Sequence, residues 1–198
     1  QKDCNEEELA IKEVNMGLYC FKGKNLKESF SKLNNNNAQK EYYITDVPYY
    51  IINNGGKVGV YVIQNSDEAQ GVNSRNDLSI VTKTLLHDNR IKHMDNGVTL
   101  IDPDNTYISL DVEIGKDTII YPGTNIQGET IIGENCTIGP NSTIISSSIG
   151  NNTIIETSKV DRASIGNDCK IGPFNNILPN TYIKDNTNIP SVKEIKNN

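Results

Sequence analysis

Isoleucine recurs every six residues through the second half of the chain, at Ile108, Ile114, Ile120, Ile126, Ile132, Ile138 and Ile144, and again at Ile165, Ile171, Ile177, Ile183, Ile189 and Ile195. A column of small residues keeps the same step four places after most of them: Thr118, Thr124, Thr130, Cys136, Ser142, Cys169, Thr181 and Thr187. Six fits neither the helical nor the simple strand period, and two registered columns over this length mark a repeat architecture. The pattern predicts a parallel β-helix of hexapeptides, three to a triangular coil, with isoleucines stacked inside and the small column at the corners. Between Ile144 and Ile165 the inward column continues as Ile149, Ile155 and Val160 at steps of five, six, five and five, which predicts shortened corners and an unbroken ladder.

Three places after ladder isoleucines stand Asp117, Gly123, Asn135, Asn141, Asn152, Asp168, Asn180 and Asn186. These residue types enter the left-handed backbone region at least cost, so the chain is expected to bend there. The hand of the coil does not follow from spacing. Hexapeptide ladders wind left-handed, against the usual right-handed crossover, and that precedent supplies the expected hand.

The chain before the ladder is patterned differently. Residues 11–21 are densely apolar and predict a strand buried in a sheet, interrupted by Asn15 and Gly17. Residues 23–33 predict a short helix with Leu26, Phe30 and Leu33 on one face. A second helix is expected over residues 40–54, kinked or restarted at Pro48 and ended by Gly55 and Gly56. Residues 57–63 alternate as a strand, 70–75 form a turn, and 76–94 predict a long helix carrying Leu78, Val81, Leu85 and Ile91. The cluster Asp95, Asn96, Gly97 stops that helix. Two strands are too few for a doubly wound sheet, so the first segment reads as the end of a larger α/β domain. The expected organisation is residues 1–75 as an α/β remnant, 76–96 as a connecting helix and 97–198 as the β-helix, the last incomplete.

Composition narrows the function classes. The 198 residues carry a formal charge of -6 with Lys and Arg dispersed, which argues against a nucleic-acid partner. No apolar run approaches the ~20 residues of a membrane span and the first residues lack a signal-peptide profile, so a cytoplasmic protein is expected. Cys4, Cys20, Cys136 and Cys169 have no close spacing, and two of them occupy the small column. Reduced structural thiols are the expected state, ahead of disulfides or a metal site.

Three stretches carry a resemblance. Glu13-Val14-Asn15-Met16-Gly17 resembles the motif Glu-Ile-Asn-Thr-Gly, residues Asn35-Asn36-Asn37-Ala38-Gln39-Lys40-Glu41-Tyr42-Tyr43 resemble Asn-Asn-Asn-Ala-Gln-Gly-Glu-Tyr-Tyr, and Gly71-Val72-Asn73-Ser74-Arg75 resembles Gly-Val-Asn-Asn-Arg. In this order they resemble the later part of the uridylyltransferase domain of the bacterial bifunctional enzymes that make UDP-N-acetylglucosamine for cell-wall synthesis. Ile101-Asp102-Pro103 and Gly172-Pro173-Phe174 also fit that family, whose second domain is a left-handed hexapeptide helix with N-acetyltransferase activity.

The resemblance implies a Rossmann-like nucleotidyltransferase remnant, with Asn15 hydrogen-bonding the sugar of the nucleotide and Asn73 giving one oxygen to a magnesium ion shared with an upstream aspartate. In that chemistry an N-acetylglucosamine-1-phosphate oxygen attacks the α-phosphorus of UTP and pyrophosphate leaves. Taken alone, Asn15 reads as a turn residue and Asn73 as a helix cap; the flanking motifs reverse that choice. The family's nucleotide loop and metal aspartate lie before residue 1, so the chain by itself is expected not to transfer uridylyl groups.

The acetyltransferase part departs further. The family's catalytic histidine belongs to later coils, whereas His87 and His93 precede the ladder and read as a surface and a packing residue, and no catalytic residue is assigned in this chain. Lys196 matches a family lysine and is assigned to substrate phosphate, but the family's Arg-Pro-Gly is Leu178-Pro179-Asn180 here, and leucine cannot replace a bidentate arginine. Acetyl-CoA is the family's cosubstrate for this domain, at a site built between subunits of a homotrimer. Two further readings stand beside the enzyme fragment. One is a non-catalytic trimerising stem with a vestigial nucleotidyltransferase remnant. The other is a different hexapeptide acyltransferase, disfavoured because no histidine follows His93.

Overall fold

The computed structural model describes residues 7, 10, 11, 13–64, 69–191, 194 and 195, the last two by backbone alone. The chain divides into two compact units, Gln1–Asp77 and Leu78–Asn198.

The second unit is a parallel β-solenoid. Its strands, numbered in chain order, lie on three faces. One face holds β1 (Thr99–Leu100), β4 (Ile119–Ile120), β7 (Thr137–Ile138), β10 (Ile154–Ile155), β13 (Lys170–Ile171) and β16 (Asn188–Ile189). The next holds β2 (Tyr107–Ile108), β5 (Asn125–Gln127), β8 (Thr143–Ile145), β11 (Lys159–Asp161), β14 (Asn176–Ile177) and β17 (Glu194–Ile195). The third holds β3 (Glu113–Ile114), β6 (Ile131–Ile132), β9 (Ser148–Ile149), β12 (Ser164–Ile165) and β15 (Tyr182–Ile183). Every pairing is parallel and in register with the isoleucine column. Ile120, Ile138, Ile155, Ile171 and Ile189 stack in one file, for example, and Ile108, Ile126, Ile144, Val160 and Ile177 in another. The shortened steps leave this register intact: Val160 lies opposite Ile144 and Ile165 opposite Ile149. The ladder side chains form one continuous core, with Ile114 at its margin only partly buried.

The corners explain the second column. All eight expected bend residues have positive φ, from Asn141 at 52° to Gly123 at 73°. Between bend and strand, the small side chains are buried, apart from the half-buried Thr187, and tie neighbouring coils together. The Cys136 N–H donates to Thr118 Oγ1 at 3.0 Å, and the Cys169 N–H donates to Thr153 Oγ1 at 3.1 Å. Both thiols point to carbonyls of the next coil, Cys136 to Gly150 O and Cys169 to Lys184 O, each at 3.1 Å. Burial pushes the Cys136 thiol above its ordinary pKa, as suits a structural group. Cys20 is exposed, and Cys4 lies outside the described residues.

The long helix, here α3 (Arg75–Asp95), forms as expected, but its buried face is not formed by its apolar residues. Leu78, Leu85 and Ile91 are exposed, whereas Asn89, Arg90 and His93 are buried. The reason is the open edge of the solenoid. β2 ends its sheet, with no earlier coil to pair with, and unpaired backbone groups at such an edge need partners. Asn89 Nδ2 supplies them, donating to the carbonyls of Ile108 at 3.1 Å and Ser109 at 3.3 Å. The helix ends in a Schellman motif: Gly97, at φ 89°, donates to Met94 O and Val98 to His93 O, which turns buried Val98 into the first coil.

The first unit departs from expectation. It contains α1 (Gly23–Phe30) and α2 (Val47–Asn53), the latter preceded by a 3₁₀ turn at Ile44–Asp46. Pro48 sits in the first turn of α2, so it restarts the helix, and Gly55 and Gly56 close it by donating to Ile52 O and Ile51 O. No strand occurs among the described residues here: both 11–21 and 57–63 lack a ladder, contrary to their apolar patterning. A strand needs a neighbour for its backbone groups, and neither segment finds one. Their apolar side chains consequently face solvent, among them Val14, Leu18, Val60 and Tyr61. Among the described residues the apolar core of this unit is Val47 and Ile51.

Candidate functional site

The sequence-derived site residues of the first unit are both on irregular backbone. Asn15 forms a local turn. Its Oδ1 accepts from the Gly17 N–H at 3.0 Å, its Nδ2 donates to the Tyr19 hydroxyl, and the Tyr19 ring stacks on Phe21. A planar amide in that setting has one face of hydrogen bonding committed to the chain, so Asn15 is held in place and remains exposed.

Asn73 precedes α3. The cap of that helix is Ser74, whose Oγ accepts from the Asp77 N–H at 3.1 Å, while Asp77 Oδ2 accepts from the Asn73 N–H at 3.1 Å. This reciprocal arrangement is a variant of the capping box, in which the carboxylate reaches one residue further back. Hydrogen bonding to the Ser74 side chain and then to the Asn73 backbone holds the Asp77 carboxyl below its ordinary range. Asn73 therefore does not cap the helix with its own side chain. No hydrogen bond joins Asn15 to Asn73 among the described residues.

A magnesium ion near Asn73 would find one carboxamide oxygen there. No group of three His, Cys, Asp or Glu side chains suited to a metal occurs among the described residues. Magnesium is usually held by one or two carboxylates together with substrate phosphates and water, and Asp77 Oδ2 is already engaged by the Asn73 N–H. The described residues do not build a magnesium site by themselves.

In the second unit, His87 is exposed and His93 is buried at 4%, as their positions before the ladder predicted. His93 Nε2 has no hydrogen-bond partner, nor does Arg90 Nε one turn earlier, although Arg90 Nη2 lies 3.8 Å from the exposed Asp104 carboxylate. Burial, followed by the charge of Lys92, lowers the His93 pKa. His93 Nε2 and Arg90 Nε are both buried, as in packing residues. Leu178 is half-buried on the solenoid surface, and Lys196 lies outside the described residues. Patterning found the ladder and its bends but missed two features that carry polar chemistry. One is the buried Asn89, Arg90, His93 face. The other is a shallow groove of about 380 Å³ on the third face, where Ser148 and Ser164 lie between Ile131 and Tyr182 beside Arg162. The run of two serines between larger outward residues, three coils apart in the column, was the available signal.

Residues 111–146 match the family described as "Bacterial transferase hexapeptide (six repeats)". The similarity of the whole chain is wider. Proteins named "Bifunctional protein GlmU" from Geobacillus sp. and Clostridium kluyveri are 49% and 50% identical to it over 195 and 197 residues, which is 98% of this chain in both cases. The chain is homologous to part of GlmU. It spans 42% of the length of these two relatives, and 43% of that of the GlmU protein from Clostridioides difficile, to which it is 45% identical over 197 residues. The GlmU similarity therefore includes the unit before the solenoid as well as the repeats. Among solved structures, a mutant perosamine N-acetyltransferase from Caulobacter crescentus, in complex with CoA and GDP-perosamine, aligns with a TM-score of 0.39 at 16% identity. That alignment covers 52% of this chain and 62% of the acetyltransferase chain.

Proposed function

We propose that the chain is a segment of a sugar-nucleotide enzyme of the GlmU kind. It would hold the closing part of the uridylyltransferase domain, which forms UDP-N-acetylglucosamine from UTP and N-acetylglucosamine-1-phosphate, and the first coils of a left-handed acetyltransferase β-helix. The observation that carries this reading is the extent of the similarity: 98% of the chain aligns with proteins of that name, so the match does not reduce to a shared hexapeptide ladder. The three ordered motifs around Asn15, residues 35–43 and Asn73 all belong to the unit before the repeats. In the complete enzyme Asn15 would bind the nucleotide sugar, Asn73 would give one oxygen to magnesium, and acetyl-CoA would serve the solenoid domain at a site between three copies. Uncovered apolar side chains at 11–21 and 57–63 support a larger domain around the first unit, because sheet neighbours would bury them.

The test compares UDP-N-acetylglucosamine binding, with magnesium present, by this chain and by a version extended upstream. Binding by the extended form only, weakened about tenfold or more by Asn73→Ala, is expected. Binding by neither would favour a non-catalytic stem, the reading supported by Leu178 in place of a phosphate-binding arginine. Pyrophosphate release by the 198-residue chain alone would contradict the placement of the nucleotide loop outside it. Sedimentation of the solenoid as a monomer at high concentration would remove the homotrimer.

A further inference from the structure

Two Asn-Gly pairs stand in the sequence, Asn54-Gly55 and Asn96-Gly97, each at the end of a helix. An asparagine followed by glycine is open to attack on its own side chain, because glycine has no Cβ to shield its backbone nitrogen. Both glycines lie in the left-handed region, Gly55 at φ 77° and Gly97 at φ 89°. Both donate their N–H back to the helix, Gly55 to Ile52 O at 2.9 Å and Gly97 to Met94 O at 3.0 Å. In these respects the pairs are alike.

Their surroundings differ. From the turn after α1, Lys32 Nζ donates to Asn54 Oδ1 at 2.9 Å. The ammonium draws electron density out of the carboxamide and makes Cγ more electrophilic. It also stands where negative charge develops when a nucleophile adds to that carbon. Gly55 is exposed, and a Cβ built on it would meet nothing within 4 Å. Freeing its nitrogen requires only the last turn of α2 to open, in the unit whose described apolar core is Val47 and Ile51. The Asn96 side chain makes no hydrogen bond among the described residues. Gly97 lies against Lys116, whose Cβ would stand 3.3 Å from an added Cβ, and the Asp117 N–H donates to Gly97 O at 2.9 Å. Opening that turn therefore disturbs the first coil of the solenoid.

We propose that Asn54-Gly55 is a site of spontaneous intramolecular modification, promoted by Lys32. The Gly55 nitrogen gives its proton to solvent base and attacks Asn54 Cγ, forming the N–Cγ bond and placing negative charge on Oδ1 beside the ammonium. Collapse of this oxyanion breaks the Cγ–Nδ2 bond. The departing nitrogen takes a proton from water and leaves as ammonia, and a succinimide ring remains. Water then opens the ring, at Cγ to give aspartate or at the backbone carbonyl to give isoaspartate. One water is consumed and one ammonia released, with no change of oxidation state. Either product sets a carboxylate, charged at neutral pH, against Lys32. Isoaspartate also lengthens the backbone at the turn through which Gly55 and Gly56 close α2.

The experiment incubates the 198-residue chain in mildly alkaline buffer and follows the peptides carrying Asn54 and Asn96 by mass spectrometry, resolving aspartate from isoaspartate. Asn54 is expected to convert first. Lys32→Met is expected to slow it about fivefold, the factor that one exposed contact of opposite charges supplies in water, and Lys32→Arg to keep most of the rate. The unsubstituted chain gives a second reading: at 1 M salt, where screening acts over about 3 Å, conversion of Asn54 should slow relative to that of Asn96. In the denatured chain the two pairs should convert alike. Asn96 converting as fast as Asn54 in the folded chain would overturn the proposal. Equal rates in Lys32→Met and Lys32→Arg would do so too, since both remove the native side chain and they differ in charge, as would an Asn54 rate that salt leaves unchanged. The outcome is independent of whether the chain binds UDP-N-acetylglucosamine.

Discussion

At the scale of single residues, the solenoid depends on positions where a side chain has no room as much as on those where it fills the core. Gly115, Gly133, Gly150 and Gly166 each follow a ladder isoleucine on the third face, and their backbones stack directly on one another from coil to coil. A Cβ on Gly150 would stand 2.5 Å from the carbonyl carbon of Gly166 and 2.6 Å from Asn167 N, distances no real Cβ adopts. The obstruction is backbone, so no rotamer change relieves it. Gly150→Ala is therefore expected to cost about 2–3 kcal/mol, in the upper range for overpacking, seen as a lower denaturant midpoint. An unchanged midpoint would mean that the coils part without penalty. Beside this column runs a ladder of polar side chains: Asn151 Oδ1 accepts from the Glu134 N–H, Asn167 Oδ1 from that of Asn151, and Asp185 Oδ1 from that of Asn167, all at 2.8 Å. The recurring Ile-Gly pairs were present in the sequence as a signal for this close stacking. The Asn and Asp bends were legible because those residue types tolerate positive φ. Ser146, Thr157, Arg162 and Phe174 also have positive φ and were not legible, since there the coil register sets the backbone and residue preference is overridden.

Elements show where local patterning holds and where it fails. The ladder was readable because its core is periodic in sequence and its partners lie one coil away. The strands expected at 11–21 and 57–63 were not formed, because an apolar run specifies a buried segment but does not provide the neighbour that makes it a strand. For α3 the periodicity gave the helix, yet the face it buries is polar, since the adjoining β2 edge demands hydrogen-bond donors more than it demands apolar area. That face contains a titratable group. His93 is buried with Nε2 unpartnered; Arg90 lies one turn before it on the same face, Lys92 beside it, and the Asp104 carboxylate is engaged by Arg90. Protonation would place a second buried cation next to Arg90. The folded-state pKa is lowered from 6.5, burial being the main cause, so in the unfolded chain His93 takes up its proton at a higher pH than in the folded one. At high pH both states are neutral and the group contributes no pH dependence. As pH falls below the unfolded value the unfolded state binds the extra proton, and stability declines until the folded pKa is passed. The denaturant midpoint of the solenoid should drop between pH 7.5 and about 5, and the drop should be smaller in His93→Gln. Equal slopes in the two proteins would show that His93 is not a source of the decline.

For the whole molecule, the two units are built with very different amounts of core. Among the described residues, twenty form the continuous interior of the solenoid, most of them buried isoleucines, and each such side chain contributes about 1.5–3 kcal/mol of burial free energy. The first unit buries Val47 and Ile51 among its described apolar residues, while Val60 is 85% and Tyr61 89% exposed. Burial on that scale offsets the conformational entropy of only a few residues. The first unit should therefore open at much lower free energy than the second, and where opening is fast compared with cleavage, proteolysis follows the open population. Brief digestion of the 198-residue chain is expected to cut first within residues 1–77 and leave a resistant fragment that begins near Leu78 and retains the solenoid. Initial cleavage inside the coils would contradict this ordering of stabilities. The same digestion also bears on the larger domain inferred from the GlmU similarity. If upstream sequence supplies sheet neighbours for 11–21 and 57–63, an extended chain will hide Val60 and Tyr61 and protect the first unit, because the exposed apolar side chains and unpaired backbone would be buried together. Extension that leaves the rate of cleavage in residues 1–77 unchanged would show that these segments are not missing strands of that domain, and their apolar patterning would need another explanation.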